Sequence, residues 1–242
     1  MIYRLIKPGI FIERLNRFVA RVIVDGEEQL CHVKNTGRCR ELLIHGAEIF
    51  VQERDQAGRK TKYDLISVYK GSRLVNIDSQ APNQVMAEFL QAGGLLGSDS
   101  KVRREVQYKN SRFDFYIESG GEKCFMEVKG VTLEEGRAAM FPDAPTQRGV
   151  KHLTQLMDCL KHGYKAYVVF IIQMDGVDFF LPNWNTHPAF AQALEQAQKA
   201  GVTVLAYDCT VTEQELVLRS PVKVRLNEIE EKGSSDGGKS KL

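Results

Sequence analysis

The chain lacks several features that mark particular classes of protein. Its five cysteines are an odd number and include no Cys-x-x-Cys pair, which argues against a disulfide framework and against a zinc site of the usual spacing. No run of 18 apolar residues is present, and the N-terminus has no long apolar segment like that of a signal peptide. The sequence therefore predicts a cytoplasmic protein with reduced thiols and no membrane partner.

A strong excess of charge is also absent. The 242 residues carry a formal net charge of +2, so a nucleic-acid partner would have to be met by a local basic patch. Residues 1–80 contain 14 Lys and Arg against 10 Asp and Glu, whereas residues 81–225 contain 16 against 17. This mild surplus favours the N-terminal part as the place where phosphates are bound.

The first eighty residues or so read as short strands separated by turns. Strands are predicted at 17–24, 29–33, 47–52, 61–69 and 73–77, with a short helix at 39–43. Asp25-Gly26, between the first two strands, is a strong hairpin signal. This pattern indicates a small β-barrel. The turn-forming residues around Pro82 place a domain boundary near residue 80.

From residue 81 the pattern changes to helices alternating with strands. Helices are predicted from Asn83, from about residue 146 and from Pro188. Strands are predicted at 101–108, 112–117, 123–129, 167–172 and 202–207. The order is therefore α-β-β-β-α-β, followed by α-β. Residues 227–242, rich in Glu, Gly and Ser, read as a flexible C-terminal tail.

Two acids and a lysine lie on adjacent predicted strands. Asp114 precedes Glu127 by thirteen residues, and the segment between them reads as a hairpin that can bring both acids together. Side chains alternate along a strand, so Glu127 and Lys129 point the same way. Carboxylates bind Mg²⁺ or Mn²⁺, and a lysine can orient the attacking water. The alternative is a solvated hairpin face with ordinary ion pairs.

The αβββαβ order and this motif together resemble the core of the PD-(D/E)XK nuclease-like fold. The resemblance implies that Asp114 and Glu127 are metal ligands and that Glu127-Val128-Lys129 is the E-x-K of the motif. Asp114, Glu127 and Lys129 would then be the catalytic residues. Many members of the fold also carry an acid on the first helix, which points to Glu88 as a third ligand. A glutamate on a helix is otherwise most often exposed to solvent.

Longer segments carry a more specific resemblance; they lie at 35–37, 111–114, 127–133, 141–153 and 206–207. Together they resemble the sugar fermentation stimulation protein A family, from about residue 11 to 225. The resemblance implies an α/β protein in which a small OB-like β-barrel that contacts DNA precedes a restriction-endonuclease-like domain. The expected division is residues 1–80 for the barrel, 81–226 for the nuclease-like domain and 227–242 for the tail.

Two basic regions are predicted to contact nucleic-acid phosphates. The first consists of Arg17, at the start of the 17–24 strand, and the turn after the 29–33 strand. The residues of that turn are Lys34, Asn35, Thr36, Gly37, Arg38 and Arg40. The second is the start of the helix at 146–162, where the helix dipole also favours phosphate: Arg148, Lys151 and His152. The alternative for the second region is a solvated helical face with a hydrogen-bonded histidine.

Three functions remain open. The first is a metal-dependent DNA nuclease, and the second is a DNA-binding regulator of sugar-metabolism genes that does not cleave. The third is an RNA-processing enzyme, because OB-like domains also serve single-stranded RNA. The intact acids favour a nuclease, since a pure binder gains nothing from carboxylates near phosphates. The family's name favours a regulator. DNA is the expected partner and RNA the less favoured one.

Overall fold

The computed structural model describes residues 1–35, 37–54 and 58–226. Thr36 and the predicted tail at 227–242 lie outside these ranges. Among the described residues of the N-terminal part, the elements are all strands: β1 (Ile6–Arg14), β2 (Val19–Val24), β3 (Glu27–Val33), β4 (Glu48–Glu53), β5 (Tyr63–Lys70) and β6 (Arg73–Asn76). The short helix predicted at 39–43 is wrong, because Cys39 has a positive φ of 45° and the residues that follow it form turns.

Strands β1 to β5 close into a barrel. They pair in the order β3-β2-β1-β4-β5, and a parallel pairing of β3 with β5 completes the ring. Alternate residues of β2 are buried and fill the interior with Phe11 and Leu65. This arrangement confirms the OB-like barrel. Strand β1 was not predicted, because it contains Pro8 and Gly9, which are unusual in strand interiors.

Gly9 is required there by a close approach of two strands. A Cβ atom at this position would lie 2.6 Å from the backbone oxygen of Ile23, a residue of the paired strand β2. A glycine inside a strand often marks such an approach. Gly9, which made β1 difficult to predict from the sequence, is therefore required by the packing of β1 against β2.

The second part contains the predicted αβββαβ order with several added short strands. Its elements are α1 (Ala81–Gln91), β7 (Lys101–Tyr108), β8 (Ser111–Ser119), β9 (Glu122–Val131), β10 (Leu133–Glu135), β11 (Ala138–Phe141), α2 (Gln147–Lys161), β12 (Lys165–Ile172), β13 (Phe179–Pro182), α3 (Pro188–Ala200), β14 (Thr203–Val211), β15 (Leu216–Pro221) and β16 (Lys223–Val224). Within the described ranges, no helix is long and apolar enough to cross a membrane.

The central sheet of this part is covered on both faces. Its order is β15-β14-β12-β9-β8-β7, and β9, β12 and β14 run parallel, as helical crossovers require. Helix α1 packs on one face through Met86. Helices α2 and α3 pack on the other face through Leu153 and Phe190. A charged side chain in the middle of β9 is therefore enclosed.

Buried polar contacts join the barrel to the second part. Asp78 is fully buried and pairs with the ammonium group of Lys34, whose side chain is only 10% exposed. The side-chain nitrogen of Gln173 donates to Asn76 Oδ1 at 2.9 Å and to the Asp78 backbone oxygen at 3.0 Å. Lys34 is thus an internal ion-pair partner, which corrects its prediction as a phosphate contact.

We expect Lys34→Met to lower the free energy of unfolding by about 3 to 5 kcal/mol, because it leaves the Asp78 carboxylate buried without its cation. The control is Arg21→Met. Arg21 pairs with Glu13 at 3.0 Å while both side chains are at least 41% exposed, so its loss should cost less than about 1 kcal/mol. Urea denaturation measures both values. Equal effects in the two variants would contradict a structural role for Lys34.

Candidate metal and nucleic-acid site

A hairpin of β8 and β9 places Asp114 beside Glu127. Phe115 of β8 pairs with Met126 of the antiparallel strand β9. Asp114 precedes Phe115 and Glu127 follows Met126, so the two acids are neighbours across the hairpin. Asp114 Oδ2 accepts a hydrogen bond of 2.7 Å from the Val128 backbone N–H. Asp114 Oδ1 accepts one of 2.7 Å from the Asn83 side chain on α1. The Asp114 carboxylate is therefore held by β9 from one side and by α1 from the other.

Glu127 is only 3% exposed and has two donors on one of its oxygens. Oε1 accepts from Lys129 Nζ at 2.5 Å and pairs with His152 Nδ1. Arg148 Nε donates to His152 Nε2 at 3.3 Å, which assigns the imidazole proton to Nδ1 and makes Nδ1 the donor to Glu127. Oε2 is buried and has no hydrogen-bond partner among the described residues. One oxygen of this carboxylate is thus saturated, while the other is free.

The two acids differ in their ionisation. Burial and the neighbouring Glu127 carboxylate raise the pKa of Asp114 to about 6. Burial also acts to raise the pKa of Glu127, but the His152 hydrogen bond and the charge of Lys129 outweigh it and hold that pKa below the usual value. At neutral pH two negative charges therefore lie close together, one on the buried Glu127 and one on the half-buried Asp114, an arrangement that a bound cation stabilises.

A hard divalent cation fits these side chains. It would bind the free Oε2 of Glu127 and would offset the repulsion that raises the pKa of Asp114. Within the described ranges, no three or more His, Cys, Asp or Glu side chains form a metal-binding group. Mg²⁺ is usually bound by one or two carboxylates and keeps several water ligands, so a pair of acids is compatible with this ion.

The structure does not bring Glu88 to this site, which corrects the prediction of a third ligand. Its Oε2 pairs with the Met1 amino group at 2.6 Å, and its Oε1 accepts from Gln84 at 2.9 Å. Asn83 is the α1 residue that contacts Asp114. Asn83 and Glu88 are five positions apart and so lie about 140° apart around the helix. Asn83 was predicted only as a helix cap, a position that Gln80 takes.

The basic turn of the barrel is organised by Arg14, which sequence reasoning missed together with β1. The Arg14 guanidinium donates to the backbone oxygens of Arg17 at 2.7 Å, Asn35 at 2.6 Å, Gly37 at 2.7 Å and Arg38 at 3.0 Å. Arg14 therefore joins the loop before β2 to the turn after β3. The predicted contacts that remain exposed are Arg17, Arg38 and Arg40.

The same turn contacts the second part of the chain. The Arg38 backbone N–H donates to Asp143 Oδ2 at 3.0 Å. A Cβ atom on Gly37 would lie 2.5 Å from that carboxylate oxygen, so this close approach favours glycine. Asp143 belongs to the segment that leads into α2 at Gln147. The exposed arginines of the barrel thus lie next to the approach to α2.

The three predicted contact residues of α2 divide into two kinds. Arg148 and Lys151 are exposed, as a phosphate contact requires. His152 is only 3% exposed and holds Glu127 from the interior. Of the two interpretations of this helix, the hydrogen-bonded histidine applies to His152, which corrects its prediction as a phosphate contact.

The fold and its pair of neighbouring acids define a class of protein. A closed OB-like barrel followed by a restriction-endonuclease-like domain is the architecture of a nuclease-like, nucleic-acid-binding protein. A family model described as "SfsA N-terminal OB domain" matches residues 12–77, and one described as "Sugar fermentation stimulation protein RE domain" matches residues 80–215. The chain belongs to the sugar fermentation stimulation protein family.

Relatives and a solved structure agree with this membership. The sugar fermentation stimulation protein homolog of Ruminiclostridium cellulolyticum is 55% identical over 226 residues, covering 93% of this chain and all of the relative. The homolog of Desulfitobacterium hafniense strain Y51 is 56% identical over 228 residues, covering 94% of this chain and all of the relative. The structure of Pyrococcus furiosus SfsA in complex with Ca²⁺ is similar with a TM-score of 0.85 and 29% identity, covering 93% of this chain and 98% of that one.

We expect Asp114→Asn to change how stability depends on pH. An acid whose pKa is higher in the folded than in the unfolded protein holds its proton more tightly when folded, so the parent loses stability as pH rises from about 4 to about 6. The variant lacks this loss. The free energy of unfolding of the variant minus that of the parent should therefore be about 2 to 3 kcal/mol larger at pH 7 than at pH 4. Urea denaturation in EDTA measures this; an equal difference at both pH values would contradict it.

Proposed function

We propose that this protein binds DNA and hydrolyses phosphodiester bonds with Mg²⁺ or Mn²⁺ held by Asp114 and Glu127. The observation that carries the proposal is the buried Glu127 carboxylate with one free oxygen, beside a second acid whose pKa is raised. The pair and Lys129 match the PD-(D/E)XK motif. The Pyrococcus furiosus relative was solved in complex with Ca²⁺, which supports binding of a divalent cation by a protein of this family.

Each side chain has a role that follows from its contacts. The cation, when bound, polarises the phosphate and activates a water molecule. Lys129 lies on the same strand as Glu127, with its ammonium group 2.5 Å from Oε1, where it offsets phosphate charge and orients the water. His152 holds Glu127 so that Oε2 stays available, and Asn83 holds Asp114. Lys129 therefore acts on the phosphate, while His152 and Asn83 position the acids.

The exposed cations of both parts would hold the nucleic acid. Arg17, Arg38 and Arg40 extend from the barrel, and Arg148 and Lys151 from the start of α2. Contacts from such residues to phosphates give affinity without reading the base sequence. The contact between Arg38 and Asp143 places the barrel turn beside the segment before α2. We therefore propose one continuous path for DNA over both parts, with RNA as the less favoured partner.

A second candidate function is regulation of sugar-metabolism genes through DNA binding without cleavage. The names of the relatives, which refer to stimulation of sugar fermentation, favour it. Against it stands the pair of neighbouring acids, Glu127 buried and Asp114 half-buried, which repels a phosphate unless a cation offsets its charge. The nuclease accounts for these acids and the regulator does not.

Glu127→Gln should abolish cleavage in Mg²⁺ and in Mn²⁺ while DNA affinity measured in Ca²⁺ is kept or increases. The change removes a charged metal ligand, but it also removes a negative charge near the phosphates. Linear, nicked and single-stranded DNA, with RNA in parallel, serve as substrates. Glu213→Gln is the matched control, because Glu213 is an exposed glutamate after β14. This control variant should cleave at the parental rate. Cleavage by Glu127→Gln at that rate refutes the role of Glu127. Tight binding without any cleavage by the parent favours the regulator.

His152→Leu should weaken Mn²⁺ binding by about 10- to 100-fold, as is usual when a residue that orients a metal ligand is removed. Without His152, Oε1 keeps only the contact with Lys129, so the Glu127 carboxylate is held by one donor instead of two and is less well oriented. His152→Asn should restore most of the affinity, because its side-chain nitrogen can replace Nδ1 as the donor. Calorimetry of Mn²⁺ binding, without nucleic acid, measures the three proteins. Equal affinity of the leucine variant and the parent would contradict the positioning role.

A further inference from the structure

A cavity of about 370 Å³ lies between the turn that joins β7 to β8 and the start of α2. Its size falls within the range of small-ligand sites. The hairpin and the helix each contribute walls: Asn110, Ser111 and Arg112 from the hairpin, and Arg148, Lys151 and His152 from α2. Three of the lining residues, Arg112, Arg148 and Lys151, are basic and none is acidic.

The positive charges of this cavity are only partly compensated. Arg112 pairs with Glu105 at 2.8 Å. Arg148 donates to His152, and Lys151 donates to the Asn110 backbone oxygen at 2.8 Å; neither pairs with a carboxylate among the residues that the structure describes. Arg148 and Lys151 therefore leave a local excess of positive charge, which favours an anionic ligand.

A buried hydroxyl in the cavity wall gives a second, independent indication of a ligand. Ser111 is only 5% exposed, and its Oγ has no hydrogen-bond partner among the described residues. A buried polar atom without a partner costs stability, and such atoms are rare in native proteins. The turn that carries Ser111 is tied to α2, because Asn110 Oδ1 accepts a hydrogen bond from Gln155. A residue of the cavity wall thus carries a hydroxyl group that has no hydrogen-bond partner among the described residues.

The cavity adjoins the acid pair. His152 lines it and also holds Glu127, so a single side chain separates the two sites. Ser111 precedes Asp114 by three residues on β8, a distance of about 10 Å along a strand. Successive nucleotides of one DNA strand are separated by about 3.4 Å along the helix axis. A strand with one phosphate at the acids therefore has another phosphate within reach of the cavity.

We propose that this cavity binds a phosphate group of the nucleic acid, a few nucleotides from the phosphodiester bond that lies at Asp114 and Glu127. Arg148 and Lys151 neutralise the phosphate, and Ser111 Oγ donates a hydrogen bond to it. The assignment to nucleic acid rests on the proposed function. The binding of a phosphate group as such does not, and it can be tested without metal or cleavage.

The first experiment titrates the full-length protein in EDTA with inorganic phosphate, with thymidine 5′-monophosphate and with thymidine, followed by NMR at the Ser111 amide and the Arg148 Nε resonance. Both phosphate compounds should give saturable shifts at these positions and thymidine none. Lys151→Ala should weaken binding of the monophosphate at least several-fold. Lys199→Ala, which removes an exposed cation from α3, should not. Absence of saturable shifts, or equal loss in both variants, overturns the proposal.

The second experiment measures oligonucleotide affinity in Ca²⁺ as a function of salt. For single-stranded DNA, loss of one phosphate contact should reduce the salt slope by about 0.7. We expect this reduction for Lys151→Ala and not for Lys199→Ala. If the slope is reduced only for 5′-phosphorylated strands, the bound phosphate is that of a strand end. If it is reduced for 5′-hydroxyl strands as well, the bound phosphate is an internal one. An unchanged slope for Lys151→Ala overturns the phosphate site. Absence of cleavage by the parent protein, with the slope reduced as expected, overturns only the proposed nuclease activity.

Discussion

Glu127 carries its carboxylate into the middle of a sheet that helices cover on both faces, and it is only 3% exposed there. A charge in that position has to be paired and hydrogen-bonded. Lys129 of the same strand and His152 of α2 both contact Oε1. Asn83 of α1 meanwhile holds the neighbouring Asp114. The central hairpin and the helices on both faces are thus connected through one pair of acids.

The barrel is attached by a similar use of buried polar groups. Asp78 receives the ammonium group of Lys34, and Gln173 of the second part donates to the adjoining backbone. Arg14 and Asp143 then fix the turn that follows Lys34 from two sides. Cations of one short basic segment consequently serve different purposes. Lys34 is part of the junction, whereas the arginines after it face solvent beside the approach to α2.

Much of the architecture was predictable, because it rests on local patterns. Strand alternation and turn residues indicated a barrel followed by an αβββαβ domain, and the fold confirms this. The failures have physical causes. Strand β1 contains Pro8 and Gly9, and the close approach of Ile23 to Gly9 becomes visible only when the strands are paired. Glu88 matched the expected residue type, but its position around α1 turns it toward Met1 instead of the acids.

The sequence by itself determined the hairpin that carries Asp114 and Glu127, since strand periodicity and the glycines of the turn are encoded within a few residues. Only the tertiary structure decided which of the polar residues face inward. Lys34, Arg14 and His152 occur in segments that resemble ordinary basic surfaces, yet each is directed to a partner distant in the chain. Burial of a side chain depends on which other helix or strand packs over it, and the sequence around that residue does not specify which one does.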